Sequence, residues 1–218
     1  MTILFDERDI LAVVKPEGVA SIPECAGDAG CVQARAASAV GARLWVVHRL
    51  DKDVSGVLLF ARTAAAHRFL NAAFAERRIR KTYLAVVIGS VSVDSGRIDS
   101  PLREFGSGRT AADSGRGRES VTDYAVVERF EGYTLLALSP LTGRRHQLRA
   151  HLYGIGHPIA GDRLYGDRAG QRRFPRLMLH AASVVIPLPG GGAATIEAPP
   201  PDSFAAFVAE LRARGDGA

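Results

Sequence analysis

The chain has 218 residues, of which 47% are hydrophobic and 23% are charged, values that suit a globular protein and exclude wholesale disorder. The apolar runs are much shorter than the roughly 18 residues that cross a bilayer, and the acidic N-terminus is unlike a secretory signal. Two cysteines, Cys25 and Cys31, are too few for a disulfide framework or a zinc ribbon. We therefore expect a protein without membrane segments that resides in the reducing cytoplasm.

The 28 basic residues are unevenly distributed along the chain. Residues 1–50 carry five basic and six acidic side chains, whereas residues 144–176 carry eight basic and two acidic ones. Residues 77–81 add four basic side chains in five positions. A general compositional bias towards arginine is the alternative interpretation of the net charge of +5, but clustering of basic residues is typical of surfaces that contact phosphate groups. The distribution favours a nucleic-acid partner.

The first half of the chain predicts short strands and two helices. Strands are expected within residues 3–14, 44–47, 57–61 and 82–88. Residues 15–18 contain Pro16 and Gly18 and predict a turn. Helices are expected within residues 30–41 and after Thr63, which is a suitable N-cap. The apolar residues of the second helix recur at helical spacing, so this face should be buried: Ala66, Phe69, Leu70, Ala73 and Phe74.

The second half begins with a segment, residues 103–119, that is rich in glycine, serine and arginine. This composition predicts a flexible surface loop. Residues 120–130 and 133–139 predict two paired strands. A helix is expected after Gly143, with apolar residues at helical spacing: Leu148, Leu152 and Ile155.

The C-terminal residues predict a hairpin formed by residues 184–186 and 195–197. Asp202 is then expected to cap a last amphipathic helix. The apolar face of that helix consists of Phe204, Phe207, Val208 and Leu211. Many short strands with irregularly placed helices favour the α+β class over a doubly wound parallel sheet.

The first of three segments that could carry chemistry spans residues 48–56. Asp51 lies between basic neighbours, and nearby positive charge favours its ionised form. A capped turn between two strands is the alternative interpretation of this segment. Asp51 and Asp53 could also begin a metal site, but no third ligand lies at a suitable spacing.

The other two segments contain a tyrosine and a group of arginines. Tyr83 follows a basic run and could stack on a base, although a tyrosine half-buried in a sheet is an equally ordinary interpretation. Arg145 and Arg149 are four residues apart and would share one helix face. One of them could then bind phosphate while the other pairs with a buried carboxylate. The spacing of the histidines in this region, and the arginines around them, disfavour a zinc site: His146, His151 and His157.

The first segment, extended to His48–Leu59, resembles the signature of the RluA family of RNA pseudouridine synthases. The similarity covers residues 3–200 in the expected order. Its other parts are Asp9–Gly18, Lys81–Ala85, Leu141–His151, Gly156–Asp162 and Leu177–Ala181. Val54 and Met178 are mild departures from the family pattern.

The resemblance implies a single catalytic domain over residues 1–218 without a separate S4 domain. It implies a mixed, mainly antiparallel sheet with flanking helices and a central RNA-binding cleft. The implied activity is isomerisation of specific uridines in ribosomal or transfer RNA to pseudouridine, without a cofactor or metal. The implied partner is structured RNA, with no obligate protein partner and a monomeric chain.

Three catalytic residues are implied by the resemblance. Asp51 corresponds to the nucleophile, and Tyr83 corresponds to the tyrosine that stacks on the target base. Arg149 corresponds to the arginine that pairs with the catalytic aspartate and keeps it ionised.

RNA-binding residues are implied in the same way. Arg49 matches the residue that fills the space vacated by the flipped nucleotide. Arg144 and Arg145 are expected to contact the RNA backbone, and Leu179 is expected to form an apolar wall for the uracil, with Met178 as the alternative. Two other functions remain as alternatives. One is a catalytically silent RNA-binding module on the same fold, and the other is a glycosyl hydrolase, which would need a second carboxylate.

Overall fold

The structure, a computed structural model, describes residues 1–25 and 28–215. The chain divides into two compact units. The first unit contains Met1–Lys81 and Ala181–Pro200, and the second contains Thr82–His180 and Pro201–Ala218. Within the described residues, no helix is long and apolar enough to span a membrane.

Twelve strands and four α-helices are present among the described residues. The strands are β1 (Ile3–Glu7), β2 (Ile10–Lys15), β3 (Trp45–Val46), β4 (Ser55–Ala61), β5 (Arg80–Ile88), β6 (Ser95–Asp99), β7 (Leu102–Glu104), β8 (Thr110–Ala112), β9 (Val121–Phe130), β10 (Tyr133–Pro140), β11 (Leu179–Pro187) and β12 (Ala193–Glu197). The helices are α1 (Val32–Val40), α2 (Ala64–Ala75), α3 (Gln147–Gly154) and α4 (Asp202–Gly215).

The first unit is built around β4, all seven residues of which are buried. Its strands follow the order β1-β2-β4-β11, with β3 paired to β4 and β12 paired to β11. Gly56 has a φ of +123° and lies so close to Ala181 that a Cβ would be 2.1 Å from the Ala181 carbonyl oxygen. Only glycine fits there, because this φ and this distance both exclude a side chain. Helix α2 covers the sheet with the buried residues Ala66, Leu70 and Ala73.

The second unit contains strands in the order β5-β10-β9-β6, with β7 and β8 forming a separate hairpin. Tyr83 of β5 lies opposite Leu138 of β10 in an antiparallel register. The strand pairs β10–β9 and β9–β6 are also antiparallel. The expected α+β class with a mainly antiparallel sheet is confirmed.

Most of the predicted elements are present with slightly different bounds. Thr63 caps α2, since its hydroxyl accepts the N–H of Ala66 at 3.2 Å. The strands predicted at residues 120–130 and 133–139 are β9 and β10, and the late hairpin is β11 and β12. Asp202 is the first residue of α4 rather than a flanking cap. The buried residues of that helix are Phe204, Val208 and Leu211.

Two predictions of local structure are wrong. Residues 103–119 are mostly exposed, as expected, but they are not a loop throughout, because β7 and β8 pair within this segment and Asp113 accepts the N–H groups of Gly115 and Arg116. Helix α3 begins at Gln147, several residues later than expected. Arg145 therefore lies in the preceding loop and does not share a helix face with Arg149. Ile155, which was expected on the apolar face, follows the helix and is 40% exposed.

Candidate active site

Asp51 lies in the first unit, in the turn that connects β3 to β4. Asp51 is partly buried, and its backbone carbonyl oxygen accepts the N–H of Val54 at 3.1 Å. Arg49, two residues earlier in the same connection, is exposed. The sequence placed both residues between two strands, and the structure agrees.

A buried ammonium holds the backbone that follows Asp51. Lys15 has no exposed surface, and its Nζ donates to the carbonyl oxygens of Pro16, Lys52 and Val54 at 2.8, 2.7 and 2.6 Å. Three acceptors match the three N–H groups of an ammonium, which lowers the cost of burying its charge. In the sequence, Lys15 is predicted only as the first residue of a turn. Its position at the end of the buried strand β2 is the signal that could have identified it.

Ser21 holds the backbone that precedes Asp51. The Ser21 hydroxyl donates to the carbonyl oxygen of Leu50 at 2.7 Å and accepts the N–H of Leu50 at 3.0 Å. This pair of bonds fixes the peptide groups on both sides of Leu50. Together with Lys15, Ser21 therefore limits the movement of the turn that carries Asp51.

His48 stabilises the same connection as a neutral ring. Its Nε2 accepts the N–H of Leu59 at 3.0 Å, and its ring centroid lies 5.4 Å from that of Phe74. Burial, and to a smaller extent the charge of Lys81, lowers the pKa of His48 to about 3. Burial also lowers the pKa of Lys81 to about 8. At neutral pH, His48 therefore retains the lone pair that accepts from Leu59.

The depressed pKa of His48 predicts a pH-dependent stability. The pKa of His48 is about 3 in the folded chain and 6.5 for an unperturbed histidine, so between these values only the unfolded chain binds a proton. The free energy of unfolding should therefore fall as the pH falls below 6.5, by up to about 1.4 kcal/mol per pH unit. Urea unfolding of the wild type and of His48→Gln, at pH 7.5 and 5.0, measures this dependence.

The variant isolates His48 because glutamine does not titrate and its side-chain oxygen can still accept from Leu59. The stability difference between wild type and His48→Gln should change by about 2 kcal/mol between the two pH values, in the direction that disfavours wild type at pH 5.0. An equal difference at both pH values would contradict a His48 that stays neutral in the folded chain.

The other predicted site residues lie in the second unit. Tyr83 is partly buried in β5, and Leu179 is 3% exposed at the beginning of β11. Arg144 and Arg145 are exposed in the loop before α3, and Arg149 is buried within α3.

Arg149 forms a buried, two-bond ion pair with Asp162. Its Nε and Nη2 donate to Oδ2 and Oδ1 of Asp162 at 2.7 and 2.8 Å, and the two side chains are 8% and 0% exposed. Oδ1 of Asp162 also accepts the N–H groups of Leu164 and Tyr165, both at 3.0 Å. The expected pairing of an arginine with a buried carboxylate thus belongs to Arg149. Its implied pairing with Asp51 stays a prediction. Asp162 is not among the predicted site residues, although it ends the segment Gly156–Asp162 that resembles the family.

Gln147 fixes the loop that presents the two exposed arginines. Its Oε1 accepts the backbone N–H of Arg144 at 3.0 Å and the hydroxyl of Thr142 at 2.7 Å, and its Nε2 donates to the carbonyl oxygen of Val121 at 3.0 Å. The next residue upstream, His146, has a φ of +52°. This left-handed conformation is uncommon for a residue other than glycine.

The three histidines of this region bind different partners. His151 contacts the hydroxyl of Thr122 and the carbonyl oxygen of Ser100, whereas His157 contacts the carbonyl oxygen of Ile88. His146 contacts the hydroxyl of Tyr165 at 3.2 Å. Over residues 1–25 and 28–215, no group of three or more His, Cys, Asp or Glu side chains is arranged to hold a metal ion.

Comparisons with known proteins relate these features to one family. The family model described as RNA pseudouridylate synthase matches residues 9–153, which include Asp51, Tyr83 and Arg149. Ribosomal large subunit pseudouridine synthase C of Vibrio parahaemolyticus is 37% identical over 188 residues, which cover 84% of this chain. The chain spans 60% of the length of that Vibrio protein.

Two further similarities extend over most of both chains. Dual-specificity RNA pseudouridine synthase RluA of Yersinia pestis is 38% identical over 196 residues, which cover 88% of this chain and 95% of the Yersinia protein. The structure of human RNA pseudouridylate synthase domain containing 1 superposes with a TM-score of 0.79 at 30% identity, over 97% of this chain and 94% of the human one. Both the sequence and the fold therefore place this chain in the RluA family of RNA pseudouridylate synthases.

Proposed function

We propose that this protein is a cofactor-independent RNA pseudouridine synthase that isomerises specific uridines in ribosomal or transfer RNA. The observation that carries the proposal is the family match over residues 9–153, which contains the three implied catalytic residues. The names of the Vibrio and Yersinia relatives, a ribosomal large subunit enzyme and a dual-specificity RNA enzyme, support RNA as the substrate. We further propose that residues 1–218 act as one catalytic domain.

The proposed reaction is an isomerisation, so uridine and its product have the same composition. The N1–C1′ bond breaks, the uracil turns, and a C5–C1′ bond forms while the proton on C5 is lost and N1 gains a proton. The Asp51 carboxylate is the proposed nucleophile, because a carboxylate can hold the sugar or the base covalently while the glycosidic bond is open. The bonds from Lys15 and Ser21 to the flanking backbone support this role, since they limit the movement of the reacting group.

The remaining roles follow from the family resemblance and from the chemistry of a flipped base. A uridine inside a helix must leave the stack before C1′ and C5 become accessible. We assign Arg49 to the space that the nucleotide vacates, Tyr83 to stacking on the uracil, and Leu179 to the apolar wall. Exposure of Arg49 and burial of Leu179 are compatible with these assignments. Arg149 is assigned to keeping Asp51 ionised.

Tritium release from RNA labelled at uridine C5 tests the proposal directly. The RNA is prepared from cells that lack this protein, so that its target uridines are unmodified. Release of tritium by the wild-type protein is expected, because the C5 hydrogen is lost when C5 bonds to C1′. Binding of this RNA without release would instead support the catalytically silent module.

Arg144 and Arg145 are expected to contribute to the affinity for RNA through its phosphates. Both side chains are exposed. Arg144 Nε donates to the carbonyl oxygen of Glu119 at 3.1 Å, and Arg145 forms a long ion pair of 3.5 Å with Glu104, itself exposed. Replacing both arginines by alanine should weaken RNA binding about tenfold and reduce the slope of log K against log salt by about 2. Filter binding at several salt concentrations measures both quantities.

A matched control removes the same charge from α4. Arg212 and Arg214 are exposed and pair with Glu128 and Glu210. Their replacement by alanine should leave the salt slope unchanged. A slope of the Arg144 and Arg145 double variant equal to that of the wild type would show that these two arginines do not contact phosphates.

A further inference from the structure

Tyr165 has a fully buried polar side chain, and the proposed reaction assigns no role to it. Its residue is 1% exposed, and burial raises the pKa of its hydroxyl. The hydroxyl accepts the backbone N–H of Thr110 at 2.7 Å and lies 3.2 Å from Nδ1 of His146. A protonated hydroxyl can accept from Thr110 and donate to His146 at the same time.

The ring of Tyr165 supports the Arg149–Asp162 pair. The guanidinium carbon of Arg149 lies 5.2 Å from the ring centroid, within the distance of a cation–π contact. The backbone N–H of Tyr165 donates to Oδ1 of Asp162, the same oxygen that accepts Nη2 of Arg149. Tyr165 therefore contacts both members of the ion pair, one through its ring and the other through its backbone.

The same residue attaches the β7–β8 hairpin. Thr110 is the first residue of β8, so its bond to the Tyr165 hydroxyl fixes the hairpin at that point. Arg109, in the hairpin turn, places its guanidinium carbon 5.2 Å from the centroid of the Tyr165 ring and 5.6 Å from that of Tyr153. The left-handed backbone of His146 turns the loop before α3 so that its ring also meets Tyr165.

We propose that Tyr165 is a positioning residue that orients the Arg149 guanidinium. Through its hydroxyl, it couples this orientation to the position of the β7–β8 hairpin. Asp162 accepts one N–H from Nε and one from Nη2 of Arg149, so these two hydrogen bonds define the plane of the guanidinium. The Tyr165 ring contacts that group directly, and its hydroxyl prevents the hairpin from moving away. The catalytic consequence of this coupling rests on the proposed function of Arg149.

Tyr165→Phe tests the proposal because it removes the hydroxyl and keeps the ring. We expect the backbone N–H of Thr110 to exchange with solvent about tenfold faster, since it loses one hydrogen bond in a buried setting. Arg149 Nε–H should also exchange faster, and kcat for tritium release should fall about tenfold at nearly constant KM. Hydrogen exchange followed by NMR and steady-state kinetics measure these quantities.

Tyr133→Phe is the matched control, because it likewise removes a tyrosine hydroxyl that accepts a hydrogen bond in the second unit. Arg173 Nη2 donates to the Tyr133 hydroxyl at 3.0 Å in the same unit. This variant should change neither exchange rate nor kcat. Faster exchange at Thr110 with unchanged exchange at Arg149 Nε–H would overturn the coupling and leave Tyr165 with a purely structural role.

The two readouts separate this proposal from the proposed function. If the wild-type protein releases no tritium, the proposed synthase activity fails, but the exchange rates of Thr110 and Arg149 still decide whether Tyr165 couples them. If tritium is released and both exchange rates rise in Tyr165→Phe while kcat stays unchanged, the positioning role in catalysis is wrong.

Discussion

Asp51→Asn is expected to abolish tritium release from uridine C5, with a rate at least about 1000-fold below that of the wild type. Asparagine has nearly the same shape as aspartate, but its neutral amide is a poor nucleophile and cannot form the proposed covalent intermediate. RNA affinity should change by less than about threefold, because the carboxylate contributes to the reaction rather than to binding. Single-turnover tritium release and filter binding, on the same RNA, separate the two effects.

Asp53→Asn is a control of equal charge in the same turn. Asp53 is exposed, whereas Asp51 is partly buried and lies between the backbone groups held by Ser21 and Lys15. Asp53→Asn should retain nearly full activity. If Asp51→Asn released tritium at the wild-type rate, Asp51 would not be the nucleophile. If both variants were inactive, activity would depend on the total charge of the turn rather than on the Asp51 carboxylate alone.

Local patterns in the sequence predicted the elements whose order is set by nearby residues. The apolar run Val57–Ala61 predicted most of β4, and the N-cap at Thr63 predicted the beginning of α2. The run did not reveal that β4 begins at Ser55. Burial of Gly56 depends on the backbone of Ala181, which is distant along the chain. Such an approach leaves no periodic pattern in the sequence.

Polar contacts between distant residues were the least predictable part of the site. Lys15 bonds the carbonyl oxygens of Lys52 and Val54, which are 37 and 39 residues away. Backbone carbonyls carry no sequence signal, so the sequence could place Lys15 but could not name its partners. The β7–β8 hairpin within the glycine-rich segment 103–119 was not predicted for a similar reason. Thr110 of this hairpin bonds the hydroxyl of Tyr165, which is 55 residues away.

The residues of the candidate site were predicted through motifs rather than through spacing. The resemblance of His48–Leu59 to a family signature assigned Asp51 a role that composition and charge left open. By contrast, the spacing of Arg145 and Arg149 predicted a shared helix face that does not exist, because α3 begins at Gln147. Helical spacing carries information only inside a helix, and helix ends are the bounds that sequence patterns define least well.

Arg149→Met is expected to lower the free energy of unfolding by about 3–5 kcal/mol, because it leaves the buried Asp162 carboxylate without its partner. Asp162 has no exposed side-chain surface, so water cannot replace the two lost bonds. Adding Asp162→Asn should recover much of this loss, since the neutral amide removes the uncompensated charge while its Oδ1 can still accept the N–H groups of Leu164 and Tyr165. Urea unfolding of the two single variants and the double variant measures the coupling energy between these residues.

Removal of an exposed ion pair is the control for the double-mutant cycle of Arg149 and Asp162. Arg212 bonds Glu128 with both Nε and Nη2, but its side chain is 54% exposed, so water and salt weaken the interaction. Arg212→Ala should therefore destabilise the chain far less than Arg149→Met. Equal losses for these two variants, or additive losses at Arg149 and Asp162, would contradict a desolvated pair. The double variant is expected to keep the fold but lacks the guanidinium of Arg149. Its rate of tritium release therefore tests the role of Arg149 separately from stability. We expect a stable protein with a strongly reduced rate.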